Sequence, residues 1–566
     1  MAGRAHGVPP SPPPPPSPLP SAPPVGPARQ PGAAPRYARP DRGPLAGVIA
    51  LMVVAALFGA AVPLVGVLVP IVVVLCAFSL WVLLDFRAGV GFAVVLMPLS
   101  ALSFFPHEML GIRGLNPLNM ILFLTIVSYV VHAGLRRWRD PVAPLRLLLW
   151  YVLPIGIACI VGMSSVGLIP PRFEAERLIQ FNDGIGYLRD MFVKPQFLVL
   201  LALLVGLAVR HSKRPERFLY LMLVSGWVFC ALVAWLLLSS GIPLRELASP
   251  LARTFLGRLG MHANEMSLLL NMLYALTLFS IQPDTPALAR RLLFVSALAF
   301  AFCVLMTFSR GGFAGFLLVN LAYFWKRISV KTVIVGLIVA ACIGPFVIEP
   351  ILDRALTGVD ARDRGAVTAG RLDGIWLPLL PYVLDEAVLP HGVRSILWSP
   401  PVRLNKMLPV AQAHSAWLAG LMDLGLVGFG FVLAFLLSVR REFKRFALRH
   451  PSPALQGFFA GGAVLIPLWF LQGLSDDQFT PTFSQSYFWI ALGILIGCGG
   501  LYRRKGETGR AEAAIVPGAS GAAPAKGKGG RMFPAPAFPT DEFGNIPVRL
   551  QAAATVHADR KGMHPR

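Results

Sequence analysis

A few points of the chain combine arginine, histidine and amide side chains with small residues, a mixture suited to phosphate and proton chemistry. Arg258, His262 and Asn264 stand in RLGMHANE, and Ser309-Arg310 precedes two glycines in SRGG. A planar guanidinium binds phosphate oxygens through paired hydrogen bonds. Amide and imidazole groups at a helix start add to the attraction of the helix dipole for an anion. These two patterns therefore predict a site for a phosphate-bearing ligand.

Both patterns also have a plainer structural interpretation. Asn264 stands at the start of an apolar run, where it would act as an ordinary helix cap. Arg310 stands at the end of another run, where an arginine can extend toward lipid headgroups. Gly311 and Gly315 have the spacing that lets a neighbouring helix approach closely, which would aim Ser309-Arg310 into a cavity.

Two further patterns lie in the second half of the chain. Arg371 and Trp376 stand in GRLDGIW, and His414 stands in QAHSAWL with Asp423 nine residues later. Imidazole has a pKa of about 6.5 and suits proton transfer at neutral pH. The alternatives are an amphipathic helix with Trp376 at the headgroups and a structural, hydrogen-bonded His414. Asp423 lies inside an apolar run, so we expect an Arg or amide partner for it.

The composition shows what kind of structure must position these residues. Of 566 residues, 55% are hydrophobic and 14% charged, against about 25% charged in soluble domains. With a mean hydropathy of +0.65, the apolar residues must form long runs, which excludes an ordinary soluble enzyme. The net charge of +23 does not indicate nucleic acid as a partner, because the cations alternate with apolar runs instead of forming one patch.

The apolar runs predict an all-α polytopic membrane protein with about fourteen transmembrane helices. Each run has the length needed to cross a hydrocarbon core of about 30 Å. The predicted spans are 45–62, 64–84, 88–105, 118–134, 145–166, 191–209, 218–238, 264–281, 292–309, 311–325, 332–349, 415–438, 455–474 and 486–502.

The short basic loops predict the orientation. With fourteen spans they all fall on one side, which the positive-inside rule makes the cytoplasmic side. Both chain ends fall on that side as well, and the four patterns fall on the opposite, periplasmic side. The basic loops are 136–139, 210–217, 290–291, 326–327, 440–449 and 503–505.

The ends and the longest loop complete the predicted organisation. Residues 1–44 hold sixteen prolines and a single acid, Asp41, which predicts a disordered cytoplasmic arm. Residues 503–566 predict a disordered basic tail by the same compositional argument. Between them, 45–502 form the predicted transmembrane domain, with a large helical periplasmic loop at 350–414.

No metal or cofactor is predicted. The six cysteines all stand in apolar runs, without CxxC or Cys/His spacing. The outer-loop acids, including Asp360, Asp363 and Asp373, are interleaved with arginines and form no DxD or His/carboxylate cluster.

The order of the four patterns resembles the O-antigen ligase and O-antigen polymerase superfamily, most closely over 250–440. That family is similar in its R-x-x-G-x-x-x-x-N, S-R-G and G-R-x-x-x-x-W stretches and in an A-H-N/S element followed by E/D-x-G-x-x-G. Ser415 follows the histidine here, where many members have Asn, and Asp423 stands at the usual Glu position. The matching residues are Arg258, Gly260, Asn264, Ser309, Arg310, Gly311, Gly370, Arg371, Trp376, His414, Leu418, Asp423, Gly425 and Gly428.

The resemblance implies a membrane glycosyltransferase of the bacterial inner membrane that transfers a glycan from undecaprenyl diphosphate to an acceptor hydroxyl at the periplasmic face. His414, Arg310 and Arg371 would be catalytic, with His414 acting on the proton and the arginines on the diphosphate. The reaction would be metal-independent and inverting. The substrate-binding set would be Arg258, His262, Asn264, Ser309, Trp376 and Asp423.

Several alternatives remain open at this stage. The motifs do not separate a polymerase from a ligase, nor a glycan acceptor from a lipid-linked one. A transporter or flippase of lipid-linked oligosaccharide also fits many spans and outward-facing cations, although no internal repeat is evident. Membrane lipid is one predicted partner. The disordered ends suggest a second, a polysaccharide synthesis or export complex.

Overall fold

A computed structural model describes residues 68–501, apart from 110–111, 139, 142, 176–180, 242–256, 326–367, 369, 386 and 476–477. This part of the chain is mostly α-helical, as predicted, and its strands are one two-residue antiparallel pair, β1 (Glu108–Met109) and β2 (Ile112–Arg113). The predicted disordered ends and the predicted spans 45–62 and 332–349 lie outside the described residues.

Thirteen helices carry the fold in the described ranges. Shorter helical turns lie at Val166–Leu168, Pro171–Ala175, Leu372–Trp376, Ser395–Trp398, Pro400–Arg403 and Phe483–Gln485. The longer helices are α1 (Leu68–Leu84), α2 (Phe86–Leu99), α3 (Pro117–Arg136), α4 (Leu145–Met163), α5 (Gly184–Arg210), α6 (Arg217–Ser240), α7 (Ala263–Phe279), α8 (Ala287–Leu305), α9 (Arg310–Phe324), α10 (Leu377–Asp385), α11 (Ala416–Arg449), α12 (Pro453–Gln472) and α13 (Ser486–Gly497).

Seven of these helices are long and apolar enough to cross a membrane, namely α3, α4, α5, α6, α8, α11 and α12. An eighth span results if α1 and α2, bent by 118° at Asp85, cross together. The protein is therefore a multi-pass membrane protein. In the described residues, the helices that meet this length criterion are fewer than the sequence predicts.

The shortfall arises partly because some predicted spans are shorter helices. Helix α7 has 17 residues, and every side chain from Met266 to Phe279 is buried. A helix that is apolar on all sides belongs inside a bundle. Gly457 and Gly461 of α12 bring that helix against it, since an added Cβ would lie 2.3 Å from the Phe279 carbonyl oxygen and 2.8 Å from that of Ala275.

The predicted span 88–105 is wrong at its end, because α2 stops at Leu99. The chain then turns and bonds another segment: the Ser103 amide donates to the Leu259 carbonyl at 2.9 Å, and its hydroxyl donates to the Arg258 carbonyl. The approach is close, since a Cβ on Gly260 would lie 2.9 Å from the Ser103 nitrogen. Tertiary hydrogen bonds therefore hold the chain just beyond the end of this helix.

The predicted basic loop 440–449 is also wrong, because α11 continues as a helix to Arg449. Its inner face is apolar, with Phe443 fully buried and Phe446 5.4 Å from the Phe459 ring of α12. Near its start the helix is interrupted by Gly425, whose φ of +66° suits glycine. Directly after this interruption, the Leu426 amide donates to the carbonyl of Ala387, outside the helix, at 2.7 Å.

The bundle has two chemically different ends. At one end the basic segments meet: the Trp138 and His211 rings stack at 3.7 Å, and Ser452 donates to Glu216 at 3.1 Å. At the other end the starts of α7 and α9 meet the end of α12, linked by the Ser309–Asn264 and Gln472–Gly311 hydrogen bonds. The predicted site residues gather at this second end.

Candidate functional site

The core of the site is a junction of three helix ends. The Ser309 hydroxyl caps α9 by accepting from the Gly312 amide at 3.0 Å, and it donates to Asn264 Oδ1 at 2.7 Å. Gln472, the last residue of α12, donates to the Gly311 carbonyl at 3.1 Å. Side chains from two of the predicted patterns are therefore in direct contact.

A narrow cleft of about 10 Å³, roughly the space of one water molecule, lies at this junction. The predicted close approach at the glycines is confirmed, since a Cβ on Gly311 would lie 2.5 Å from Ser475 Oγ and one on Gly315 would lie 2.6 Å from Gln472 Nε2. The starts of α7 and α9 direct their dipoles toward it, which favours an anion. The cleft is lined by Asn264, Glu265, Ser267, Ser309, Gly311, Gly312, Gln472 and Ser475.

Two buried amide oxygens near the cleft accept no hydrogen bond within the described part of the chain. Gln472 Oε1 belongs to the lining, and Asn271 Oδ1 lies next to it below Gly315, while the Asn271 amide nitrogen donates to the Gly312 carbonyl at 2.8 Å. Buried acceptors are normally satisfied by protein or water. A hydroxyl group in the cleft could donate the hydrogen bond that Gln472 Oε1 lacks.

The predicted capping role of Asn264 is taken by another residue of the same pattern. His262, not Asn264, is the cap of α7: its Nδ1 accepts from the Asn264 amide at 3.3 Å, and Glu265 accepts from the His262 amide at 3.1 Å. Asn264 is free of the capping role and holds Ser309 instead. Arg258 lies before this helix and is exposed, with its carbonyl fixed by Ser103.

Arg371 joins the third pattern to the cleft. Its guanidinium donates through Nη1 to the carbonyl of Ser475, a residue of the cleft lining. Arg310, the first residue of α9, is half-buried beside the same lining. Two of the predicted catalytic cations therefore stand at the border of the cleft.

Trp376 acts on the backbone that carries His414. The segment Leu372–Trp376 is a π-helical turn, in which five residues complete about one turn. Arg371 donates to the Ser475 carbonyl, and the Trp376 indole donates to the Ala413 carbonyl at 2.9 Å. The indole N–H is thus used to hold the chain immediately before His414.

His414 is fixed in an unusual backbone conformation. Its φ of +50° lies in the left-handed region, which non-glycine residues seldom adopt and which is often found at functional sites. On its other side, Ser415 caps α11 and the Ala416 amide donates to the Gly473 carbonyl at 2.7 Å. His414 therefore lies two residues before Ala416, whose hydrogen bond to Gly473 joins the start of α11 to the segment that carries Ser475.

Asp423 has a positioning role in this geometry. Its buried carboxylate accepts from the Arg394 amide at 2.9 Å, the Ser395 amide at 3.0 Å and the Ser395 hydroxyl at 2.8 Å. The expected amide partner is thus backbone N–H, and no arginine side chain bonds it in the described residues. These three hydrogen bonds commit the carboxylate to the 394–395 turn, so its predicted contact with substrate would be indirect.

Arg394 is the site residue that the sequence analysis missed. Its backbone is left-handed, with φ +62°, and its half-buried guanidinium is attracted by the carboxylates of Asp423 and Glu265. Burial lowers the pKa of this guanidinium, and the two carboxylates oppose that shift. Because Glu265 lines the cleft, Arg394 is a further candidate cation for the site.

Arg394 and Gln472 carry no motif, which is why they were missed. Arg394 is one of many outer-loop arginines, and Gln472 stands at the end of an apolar run. The sequence feature that could have identified Gln472 is a polar side chain at the end of an apolar run. Among the described residues, no three His, Cys, Asp or Glu side chains are grouped to hold a metal ion.

Comparison with known proteins adds no assignment to this geometry. No protein-family model matches the chain, and a search of curated proteins finds no match.

Proposed function

We propose that this protein is a membrane glycosyltransferase that transfers a glycan from a polyprenyl diphosphate to an acceptor hydroxyl. One observation supports the proposal: residues of the first two patterns line one cleft, and hydrogen bonds link the third pattern to its lining and the fourth pattern to the third. The contacts are Ser309 with Asn264, Arg371 with Ser475 and Trp376 with Ala413. In the proposed orientation the cleft faces the periplasm of the inner membrane and both chain ends are cytoplasmic.

The proposed reaction is a single displacement. The acceptor oxygen attacks the anomeric carbon, the bond from that carbon to the diphosphate oxygen breaks, and the configuration inverts. The diphosphate leaves with the bonding electron pair, and Arg310, Arg371 and Arg394 would offset its developing charge. His414 would take the proton of the attacking hydroxyl. Gln472 Oε1, which has no donor among the described residues, suits a sugar hydroxyl.

The position of the cleft favours transfer over transport. A transporter that works by alternating access binds its substrate near the midplane, between repeated halves. The cleft here lies at helix ends, where the headgroup plane would hold the diphosphate of a lipid-linked donor. A flippase remains the second outcome to be tested, and polymerase and ligase remain two forms of the same proposal.

The central experiment measures glycan transfer by the purified chain in nanodiscs. With a polyprenyl-diphosphate oligosaccharide and a sugar acceptor, His414→Ala should reduce product formation about 100- to 10,000-fold. His107→Ala, a change at an exposed histidine, is the matched control and should retain activity. Release of polyprenyl diphosphate that does not depend on His414 would contradict the catalytic role, and lipid translocation without glycan transfer would favour the flippase.

Two further measurements separate what remains open. Activity should persist in EDTA, because cations from the protein would meet the diphosphate, and loss on chelation would contradict metal independence. In a deletion strain, single-repeat glycans would indicate a lost polymerase, whereas full-length lipid-linked chains would indicate a lost ligase.

A further inference from the structure

A second cavity lies toward the basic end of the bundle and shares no lining residue with the cleft. It is a groove of about 440 Å³ between α9, α11 and α12. Its size falls within the roughly 300–1,000 Å³ of known ligand sites. Most of its lining is apolar, including Leu318 of α9 and Val464 and Pro467 of α12.

Two cations from one helix face this groove. Arg440 and Lys444 of α11 stand four residues apart and therefore on the same helix face. Arg440 Nε donates to the Ala463 carbonyl at 3.3 Å, which holds the guanidinium against α12. In the described part of the chain, neither cation pairs with a carboxylate, and the neighbouring Glu442 pairs with Arg445 at 2.7 Å.

The groove has the polarity of a lipid site. The hydrogen bond of Arg440 holds it beside Ala463, and Pro467 follows one helical turn further toward the cleft end of α12. Lys444 lies one turn beyond Arg440 toward the basic end of α11. A bilayer presents acyl chains and phosphate headgroups in the same order. Free phosphate would leave the apolar wall unused, and a neutral lipid would leave two cations without a counter-charge.

We propose that this groove binds an anionic phospholipid, with its phosphate on Arg440 and Lys444 and an acyl chain along Leu318 and Pro467. Basic pockets between transmembrane helices recognise anionic headgroups in this way. The site is separate from the cleft, and its occupancy does not depend on glycosyl transfer being the activity.

The test compares two charge-matched double variants of the full chain. Lipid binding is measured by native mass spectrometry in neutral detergent, with dioleoyl phosphatidylglycerol and dioleoyl phosphatidylcholine. Arg440→Gln/Lys444→Gln should weaken phosphatidylglycerol binding about 10- to 30-fold. Arg441→Gln/Arg449→Gln removes the same charge from exposed positions of the same helix that do not line the groove, and should change binding less than threefold.

A second readout identifies what fills the groove. A photoreactive amino acid at Ala322, which lines the groove, should crosslink to phospholipid in membranes. Equal losses in the two double variants, or equal binding of both lipids by the unmodified protein, would overturn the proposal. A crosslink to residues 326–349 of the chain itself would overturn it as well, because that segment would then be the occupant.

Discussion

At the scale of single residues, the site depends on side chains that hold backbone as much as on side chains that face the cleft. Trp376 holds Ala413, Arg371 holds Ser475, and Asp423 holds the turn at Ser395. If the proposed function holds, such contacts would keep the reacting groups within the small tolerance that transfer chemistry needs. The motif residues therefore divide into those that would touch substrate and those that position others.

Asp423→Ala tests the positioning role. The substitution leaves three donors without an acceptor, at roughly 1–3 kcal/mol each, so the melting temperature in detergent should fall clearly and transfer activity with it. Asp373→Ala is the matched control, because Asp373 is exposed and surface changes usually stay within about 0.5 kcal/mol. Equal stability of the two variants would show that the Asp423 hydrogen bonds do not hold the turn.

Arg394→Gln tests the cation that carries no motif. If its guanidinium meets the diphosphate, kcat/KM for the donor should fall about 100-fold while the melting temperature changes little. Arg403→Gln removes a charge from an exposed arginine of the same loop and serves as the control. Donor kinetics of Arg394→Gln that match those of the control would remove Arg394 from the site.

At the scale of elements, close helix packing shapes the site. Helix α12 carries Gly457 and Gly461 against α7, and α9 carries Gly311 and Gly315 against the end of α12. Without an aqueous driving force inside a bilayer, small residues of this kind allow helices to pack. The sequence analysis identified the α9 pair, but it overlooked the α12 pair.

Gly461→Ala tests the contact between α7 and α12. The new methyl would meet the Ala275 carbonyl oxygen at 2.8 Å and Leu276 Cα at 3.0 Å, and overpacking against backbone costs about 1–3 kcal/mol. Thermal unfolding should show lower stability. Gly430→Ala on α11 is the control, since nothing lies within 4 Å of its added methyl and alanine favours a helix. A Gly461→Ala protein as stable as the control would contradict this packing.

At the scale of the whole molecule, the two ends of the bundle differ in chemistry. Basic helix ends with the Trp138–His211 stack lie at one end, and the cleft lies at the other. In the proposed orientation, which follows the positive-inside rule, the cleft would lie on the periplasmic side. Glycosyl transfer from an outer-leaflet donor requires this orientation.

Single cysteines at Lys213 and Lys406, in a background without native cysteines, test the orientation. Both positions are exposed. In intact spheroplasts a membrane-impermeant maleimide should label the protein with cysteine at position 406, and it should label position 213 only after permeabilisation. The reverse pattern would place the cleft in the cytoplasm and exclude the proposed donor side.

The sequence by itself determined the membrane class, most of the long helices and the glycine spacing on α9, because these follow from local hydropathy and helix periodicity. Only the tertiary structure decided that α2 ends at Leu99 and that α11 continues to Arg449, and contacts with distant segments hold the chain near both limits. It likewise decided the partners of Asp423 and the place of Arg394. Such contacts join residues far apart in the chain, and no local pattern encodes which of them will meet.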